Sequence, residues 1–313
     1  MDLIEEFCDE HLGGEIDRLA DFCLAELNVL PHKYEYGKYA SNGLRWNFDC
    51  DDCALMRAVY ERIWGVTFPE FRGDTMNSFR TTFGSERTIG TSLIPRENEI
   101  ISFASFGAYQ LPESLKKRIW GFHRLYHTIG NLIPLPNKRL GRNSINTFRA
   151  CAPWYDSFGV FLSAVKKYLT GKGVVCGMVE LPDLFIRLMD ENAGFWDRYR
   201  GEDGFRKYIA EFMLEEYLGL DDEPIPYEVT RWKAKGLSGA DYRAGAVRFL
   251  DRAERIIRNR ARRIIAKLAL TGKEMGNDQG GEVEGFAQVS QDGRGVCQRM
   301  RLATVAGISR QFE

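Results

Sequence analysis

Apolar residues recur at three- and four-residue steps along most of this chain, the spacing that gives a helix one buried face. Asp51 to Trp64 carries Leu55, Val59 and Ile63 in this way. Glu113 to Ile129 follows Pro112 and sets Leu115, Ile119, Phe122, Tyr126 and Ile129 on one stripe. Trp154 to Leu169 is stronger still, through Trp154, Phe158, Phe161, Leu162, Val165, Tyr168 and Leu169. Pro153 suits its start, and Lys166 and Lys167 suit the negative end of its dipole. Asp203 to Leu218 repeats the pattern, with Gly219 as its stop, and Asp241 to Leu270 predicts one long helix. Strand-like alternation is scarce, Ile100 to Phe106 and Gly173 to Val179 being the best candidates. The spacing therefore predicts a mainly α fold: a single compact multi-helix domain over residues 1–272 with few or no strands. Asp221 to Gly239, with Pro224 and Pro226, reads as a connector. From about Asn277 the chain is rich in Gly and Gln with few large apolar side chains, so residues 273–313 are expected to form a flexible tail.

Composition narrows the picture. The chain has 313 residues, 44% of them hydrophobic, with 20 Phe, 13 Tyr and 6 Trp, so aromatic packing should dominate the interior. With 43 basic and 44 acidic residues the formal charge is −1, which gives no general attraction to nucleic acid or anionic lipid. The acidic start lacks the order of a secretory signal, and Ile100 to Leu111 falls well short of the roughly 20 apolar residues of a membrane helix. Seven irregularly spaced cysteines argue for reduced thiols. A cytoplasmic protein with no membrane association is expected.

The segment His127-Thr-Ile-Gly-Asn-Leu-Ile-Pro-Leu-Pro136, followed by Ser144-Ile-Asn-Thr-Phe-Arg149, sets polar side chains among apolar ones. An unpaired buried donor or acceptor costs roughly 1–3 kcal/mol, so these groups must find partners. Its prolines should hold extended backbone whose peptide groups cannot pair regularly. Asn131 and Asn146 would satisfy those groups, while Arg149 would clamp carbonyls or an acid such as Asp156. In Arg72-Gly-Asp-Thr-Met-Asn-Ser-Phe79, Asp74 or Thr75 suits the cap of a helix through Phe79 and Phe83. Capping leaves Asn77 and Ser78 unexplained. Asp74, Asn77, His127, Asn131, Asn146 and Arg149 are accordingly the candidate ligand-binding residues.

Metal chemistry has weaker signals. His123 and His127 share a helix face, but Arg124 stands where a zinc protease needs Glu. Cys50-Asp-Asp-Cys53 has the spacing of half a zinc site without a second Cys pair; its aspartates instead suit a helix N-terminus. No metal or cofactor is expected. The Asp241–Leu270 helix has an apolar stripe of Val247, Leu250, Ile257, Ala261, Ile264, Ile265 and Leu268, surrounded by arginines. Arg255, Arg258, Arg262 and Arg263 are candidates for contacting an anionic ligand, an acidic partner or a nucleic-acid backbone. Alternatively, the arginines are solvated or paired with Asp221-Asp222-Glu223.

The His-Thr-Ile-Gly-Asn … Pro-x-Pro run, then Asn146-x-x-Arg149 and Asp156 ahead of Phe161-Leu162, resembles a group of bacterial proteins of unassigned function. The Gly73–Ser78 element and the closing Arg255–Ile264 helix are similar too. One acidic position of that pattern is replaced here by Ser157 or Gly159. This resemblance implies no activity. Gly130-Asn-Leu-Ile-Pro-Leu135 with Asn146 also resembles part of the His–metal-finger nucleases, without their upstream Asp-His pair. Two function classes follow. One is a binding or regulatory protein whose His/Asn/Arg hub holds an anionic ligand or partner, aided by the arginine helix. The other is a metal-dependent phosphodiesterase or nuclease, with His127, Asn131 and Asn146 as its catalytic candidates.

Overall fold

Helix α1 (Leu3–Leu12) starts where the Asp2 carboxylate accepts the Ile4 N–H at 3.3 Å, and stops at Gly13, whose φ of 69° suits a residue without Cβ. The structure, a computed structural model, describes residues 2–28, 50–77, 111–149, 158–173, 180–219, 222–225 and 239–277. After α1 come α2 (Ala54–Trp64), β1 (Phe71–Thr75), α3 (Glu113–Tyr126), β2 (Leu132–Pro136), α4 (Ile145–Arg149), α5 (Phe158–Thr170), α6 (Asp183–Glu191), α7 (Ala193–Trp196), α8 (Glu202–Glu211) and α9 (Gly239–Asn277). Among the described residues the fold is mainly α, with one two-stranded antiparallel ribbon, β1–β2.

The ribbon is the chief departure from the pattern of the sequence. Asp74 and Thr75 lie in β1 and cap no helix; Phe79 and Phe83 are outside the described residues. Leu132–Pro136 pairs regularly, with Phe71 opposite Pro136, Gly73 opposite Pro134 and Thr75 opposite Leu132. The prolines permit this through their position. Met76 N–H donates to Asn131 O and Asn137 N–H to Glu70 O, so the odd-numbered residues of β2 face β1. Pro134 and Pro136 then lie on the outer edge, where a missing N–H costs the ladder nothing.

Other boundaries also moved. The stripe expected through Ile129 ends at Tyr126 and gives way to a 3-10 turn, Ile129–Asn131. The helix expected to run to Leu218 stops after Glu211. There Met213 adopts φ 57° and Leu214 N–H closes on Ile209 O at 2.8 Å, a left-handed cap that precedes Gly219. Helices α1 and α6 were not anticipated. The final helix runs to Asn277, past the domain end expected at residue 272. The rest of the expected tail, the Ile100–Phe106 strand, most of the Gly173–Val179 strand, and Pro153 through Ser157 lie outside the described residues.

Aromatic rings fill the core as composition requires. Trp64 stacks on Phe212 at 5.6 Å, and Tyr208 packs edge-on against Trp196 and Tyr199 at 5.4 and 5.3 Å. Of the stripe expected on α9, Leu250, Ile257, Ala261, Ile264, Ile265 and Leu268 are buried, whereas Val247 is 39% exposed and Ala246 and Ala253 join the stripe.

Burial, aided by nearby carboxylates, pushes the thiols of Cys8 and Cys23 up to about 11 from an ordinary value near 9. A folded state that holds these protons longer than the unfolded chain is fully stabilised below about pH 9. It loses that contribution as pH rises towards 11. Urea unfolding of the reduced protein should therefore give a lower midpoint at pH 10 than at pH 8; an unchanged midpoint would contradict the burial of these thiols.

Candidate functional site

A two-stranded ribbon is marginal by itself, and in a protein interior its outer peptide groups need partners. Two arginines meet that need, one on each edge. On the β1 edge, α4 presents Asn146 and Arg149 one turn apart. Asn146 Nδ2 donates to Gly73 O at 3.4 Å and Arg149 Nη2 donates to Thr75 O. Arg149 also grips the Asp74 carboxylate in a fork, Nε to Oδ2 at 2.7 Å and Nη2 to Oδ1 at 2.8 Å, while Asp74 Oδ1 accepts the Thr75 N–H. Both side chains are buried.

On the β2 edge, Arg260 of α9 donates from Nη1 to Leu132 O at 2.7 Å and Gly130 O at 3.1 Å, and from Nε to Phe212 O at 3.0 Å. Arg260 is 1% exposed, and its burial pushes the guanidinium down to about 10. The helix comes this close because residue 130 is glycine: a Cβ there would lie 2.0 Å from Ile257 O.

Asn131 extends the ladder with its side chain. Its Oδ1 accepts from Asn77 N at 2.9 Å and Asn77 Nδ2 at 2.8 Å, and its Nδ2 donates to Asn77 O and Tyr126 O. Asn77 Nδ2 also donates to the buried Tyr217 hydroxyl at 2.8 Å. Asn131→Ala would strand several of these groups at about 1–3 kcal/mol each, so its urea midpoint should fall sharply. An unchanged midpoint would deny the ladder its side-chain rung.

Of the six candidate ligand residues, the structure gathers Asp74, Asn77, Asn131, Asn146 and Arg149 around the ribbon, with His127 just before it. All but the half-buried Asn146 are buried. The His127 ring meets Tyr126 edge-on at 4.6 Å and its carbonyl accepts the Leu24 N–H at 3.0 Å. Asp156, the acid proposed for Arg149, lies outside the described residues; Asp74 takes that part. Among the described residues no group of three His, Cys, Asp or Glu side chains is placed to hold a metal ion. Cys50 and Cys53 are buried.

An open groove lies at the other end of the ribbon. Its volume is about 330 Å³, and it is lined by Asp52, Arg57, Phe68, Pro69, Phe71, Arg72 and Asn137. Asp51 and Asp52 stand before α2 in a 3-10 turn, as the spacing predicted, and their carboxylates hold other side chains. Asp52 takes a fork from Arg57, Nη2 to Oδ2 at 3.0 Å and Nε to Oδ1 at 3.3 Å, with Arg72 Nε at 3.7 Å; Asp51 Oδ2 accepts the Thr75 hydroxyl at 3.2 Å. The Arg57 guanidinium lies over the Phe68 ring at 4.6 Å. Gly73 lets this turn touch the ribbon, since a Cβ there would fall 1.5 Å from Asp51 O. Asn192 pins the chain after β2 by bonds to Lys138 N and O.

Sequence reading missed Arg57, Asn137, Asn192 and Arg260. Only Arg260 left a signal: it falls on the apolar stripe, three residues after Ile257 and four before Ile264. The arginine face of α9 is largely paired within the chain. Arg263 forks Glu215 with Nη2 to Oε1 at 2.7 Å, Arg255 lies 3.6 Å from Glu216, and Arg258 lies 3.4 Å from Asp21. Arg262 contacts Asn259. Asp222 and Glu223, proposed partners of these arginines, pair instead with Arg206 and Lys166. No described helix is long and apolar enough to cross a membrane. Comparison of the chain with family models, curated proteins and solved structures gives no match.

Proposed function

We propose that this is a binding protein for a small anionic ligand, held in the groove at the end of the ribbon, and that the His/Asn/Arg hub is the rigid mount of that site. One observation carries the reading. Two guanidinium groups, Arg57 at 38% and Arg72 at 40% side-chain exposure, meet over one buried carboxylate on the rim of a groove. Guanidinium presents several N–H donors in a plane, so an arginine engaged by Asp52 can still share an anion. Arg255, Arg258 and Arg263 also pair with acids of the chain but stand on an exposed helix face, whereas Arg57 and Arg72 line a concave groove, which favours the groove as the anion contact. Buried free thiols at Cys8 and Cys23 favour a reducing compartment such as the bacterial cytoplasm.

The test is thermal unfolding with a panel of small mono-, di- and trivalent anions at constant ionic strength. At a hundredfold excess over Kd a ligand adds about 2.7 kcal/mol of stability. At least one anion should raise the melting temperature saturably, and Arg72→Gln should remove the rise while leaving the unliganded melting temperature in place. A rise that survives Arg72→Gln, or none with any anion, would contradict the proposal.

A further inference from the structure

Just past β2 the chain forms a cationic hairpin that serves neither the frame nor the groove. Lys138, Arg139, Gly141, Arg142 and Asn143 are exposed, while Leu140 packs against the core. Leu140 and Asn143 exchange backbone hydrogen bonds, at 3.0 and 3.1 Å, around Gly141 at φ 60° and Arg142. Glycine at the first central position suits so tight a turn. Asn192 holds Lys138 N and O at the base, and Ser144 and Thr147 exchange bonds where the hairpin runs into α4. We infer that this hairpin contacts the phosphate backbone of a nucleic acid through Lys138, Arg139 and Arg142.

Pairing sets these cations apart. Arg57, Arg118, Arg198, Arg206 and Arg263 each meet an acid of the chain. Among the described residues, the side chains of Lys138, Arg139 and Arg142 meet no acid and make no hydrogen bond. The backbone beneath them is tied at both ends, so engaging a partner orders side chains but no loop. The chemistry of the surface favours phosphate over other anionic partners. A membrane contact needs exposed apolar side chains, and Leu140 packs inward. Protein interfaces are depleted of lysine and centred on large rings, which the hairpin lacks. Nucleic-acid interfaces are polar and strongly cationic, and the planar arginine donors match phosphate oxygens. The exposed acids Glu70 and Glu191 neighbour the base, next to the partners of Asn137 and Lys138, so the cationic excess falls towards the tip at Arg139 and Arg142.

Fluorescence anisotropy of a short labelled DNA duplex, titrated with the full chain across a salt series, tests this. Binding should be saturable at low salt. The logarithm of affinity should fall linearly with that of salt, at a slope of about −2.7 for one phosphate on each cation. Arg139→Gln combined with Arg142→Gln should shallow the slope by about 1.8 and leave the melting temperature in place. Arg263→Gln, on the paired face of α9, should leave the slope unchanged. No saturable binding, or a slope that the double variant preserves, would overturn the inference. So would poly-glutamate or anionic lipid vesicles binding the wild-type chain as tightly as the duplex, a comparison that needs no variant. The groove is tested apart from this: the double variant should keep the anion-dependent rise in melting temperature described above. Loss of that rise would mean one shared site and overturn the hairpin as a separate contact.

Discussion

Arg149→Met should cost about 3–5 kcal/mol of unfolding free energy, because it leaves the Asp74 carboxylate buried without its cation. In a chain of this size that corresponds to roughly 5–8 °C in melting temperature. The loss comes from the stranded charge as much as from the missing bonds, so neutralising the partner should help. Asp74→Asn combined with Arg149→Met is expected to be more stable than Arg149→Met alone, a coupling that a double-mutant cycle in urea measures. The sign is diagnostic. An exposed ion pair would give a single-variant loss below about 1 kcal/mol, and that outcome would place the pair outside the core.

Gly130→Ala should be at least as damaging. Its new Cβ would lie 2.0 Å from Ile257 O and 2.9 Å from the Ala261 Cβ, both on the rigid body of α9. The helix would have to lift, pulling Arg260 from the carbonyls of Gly130 and Leu132. Overpacking alone costs about 1–3 kcal/mol, and the buried guanidinium would lose its acceptors as well, so little folded protein is expected. Gly121→Ala is the control. Gly121 lies within α3 with nothing within 4 Å of its would-be Cβ, so the same substitution there should stabilise by up to about 1 kcal/mol. Equal outcomes at both positions, read by circular dichroism and urea unfolding, would refute the close approach of α9.

These contrasts show why parts of the molecule were legible in the sequence. The bodies of α2, α3, α5 and α9 follow from three- and four-residue spacing, because each hides one face and the spacing records that. Asn146 and Arg149 were legible as hydrogen-bonding side chains because they are polar groups in an apolar stretch, but the short helix α4 that sets them one turn apart was not. The ribbon was hidden. β1 reads Phe-Arg-Gly-Asp-Thr, with no alternation of apolar and polar residues, because its side chains serve an ion pair and a close contact. β2 reads Leu-Ile-Pro-Leu-Pro, and two prolines argue against a strand unless both fall on an unpaired edge. The groove was hidden for a different reason: Asp52, Arg72 and Asn137 come together only once β1 and β2 pair, and local patterns carry no record of that pairing.

The central claim is that the polar residues between Asp74 and Arg149 form an enclosed frame. Native-state hydrogen exchange at the backbone amides of Thr75, Met76 and Asn77 tests this most directly. Each donates to a buried acceptor: Asp74 Oδ1, Asn131 O and Asn131 Oδ1 respectively. The frame predicts that these three amides exchange only through global unfolding, with the free energy measured in urea. Exchange at the rate of an open loop would mean that the frame is itself the mobile, accessible site.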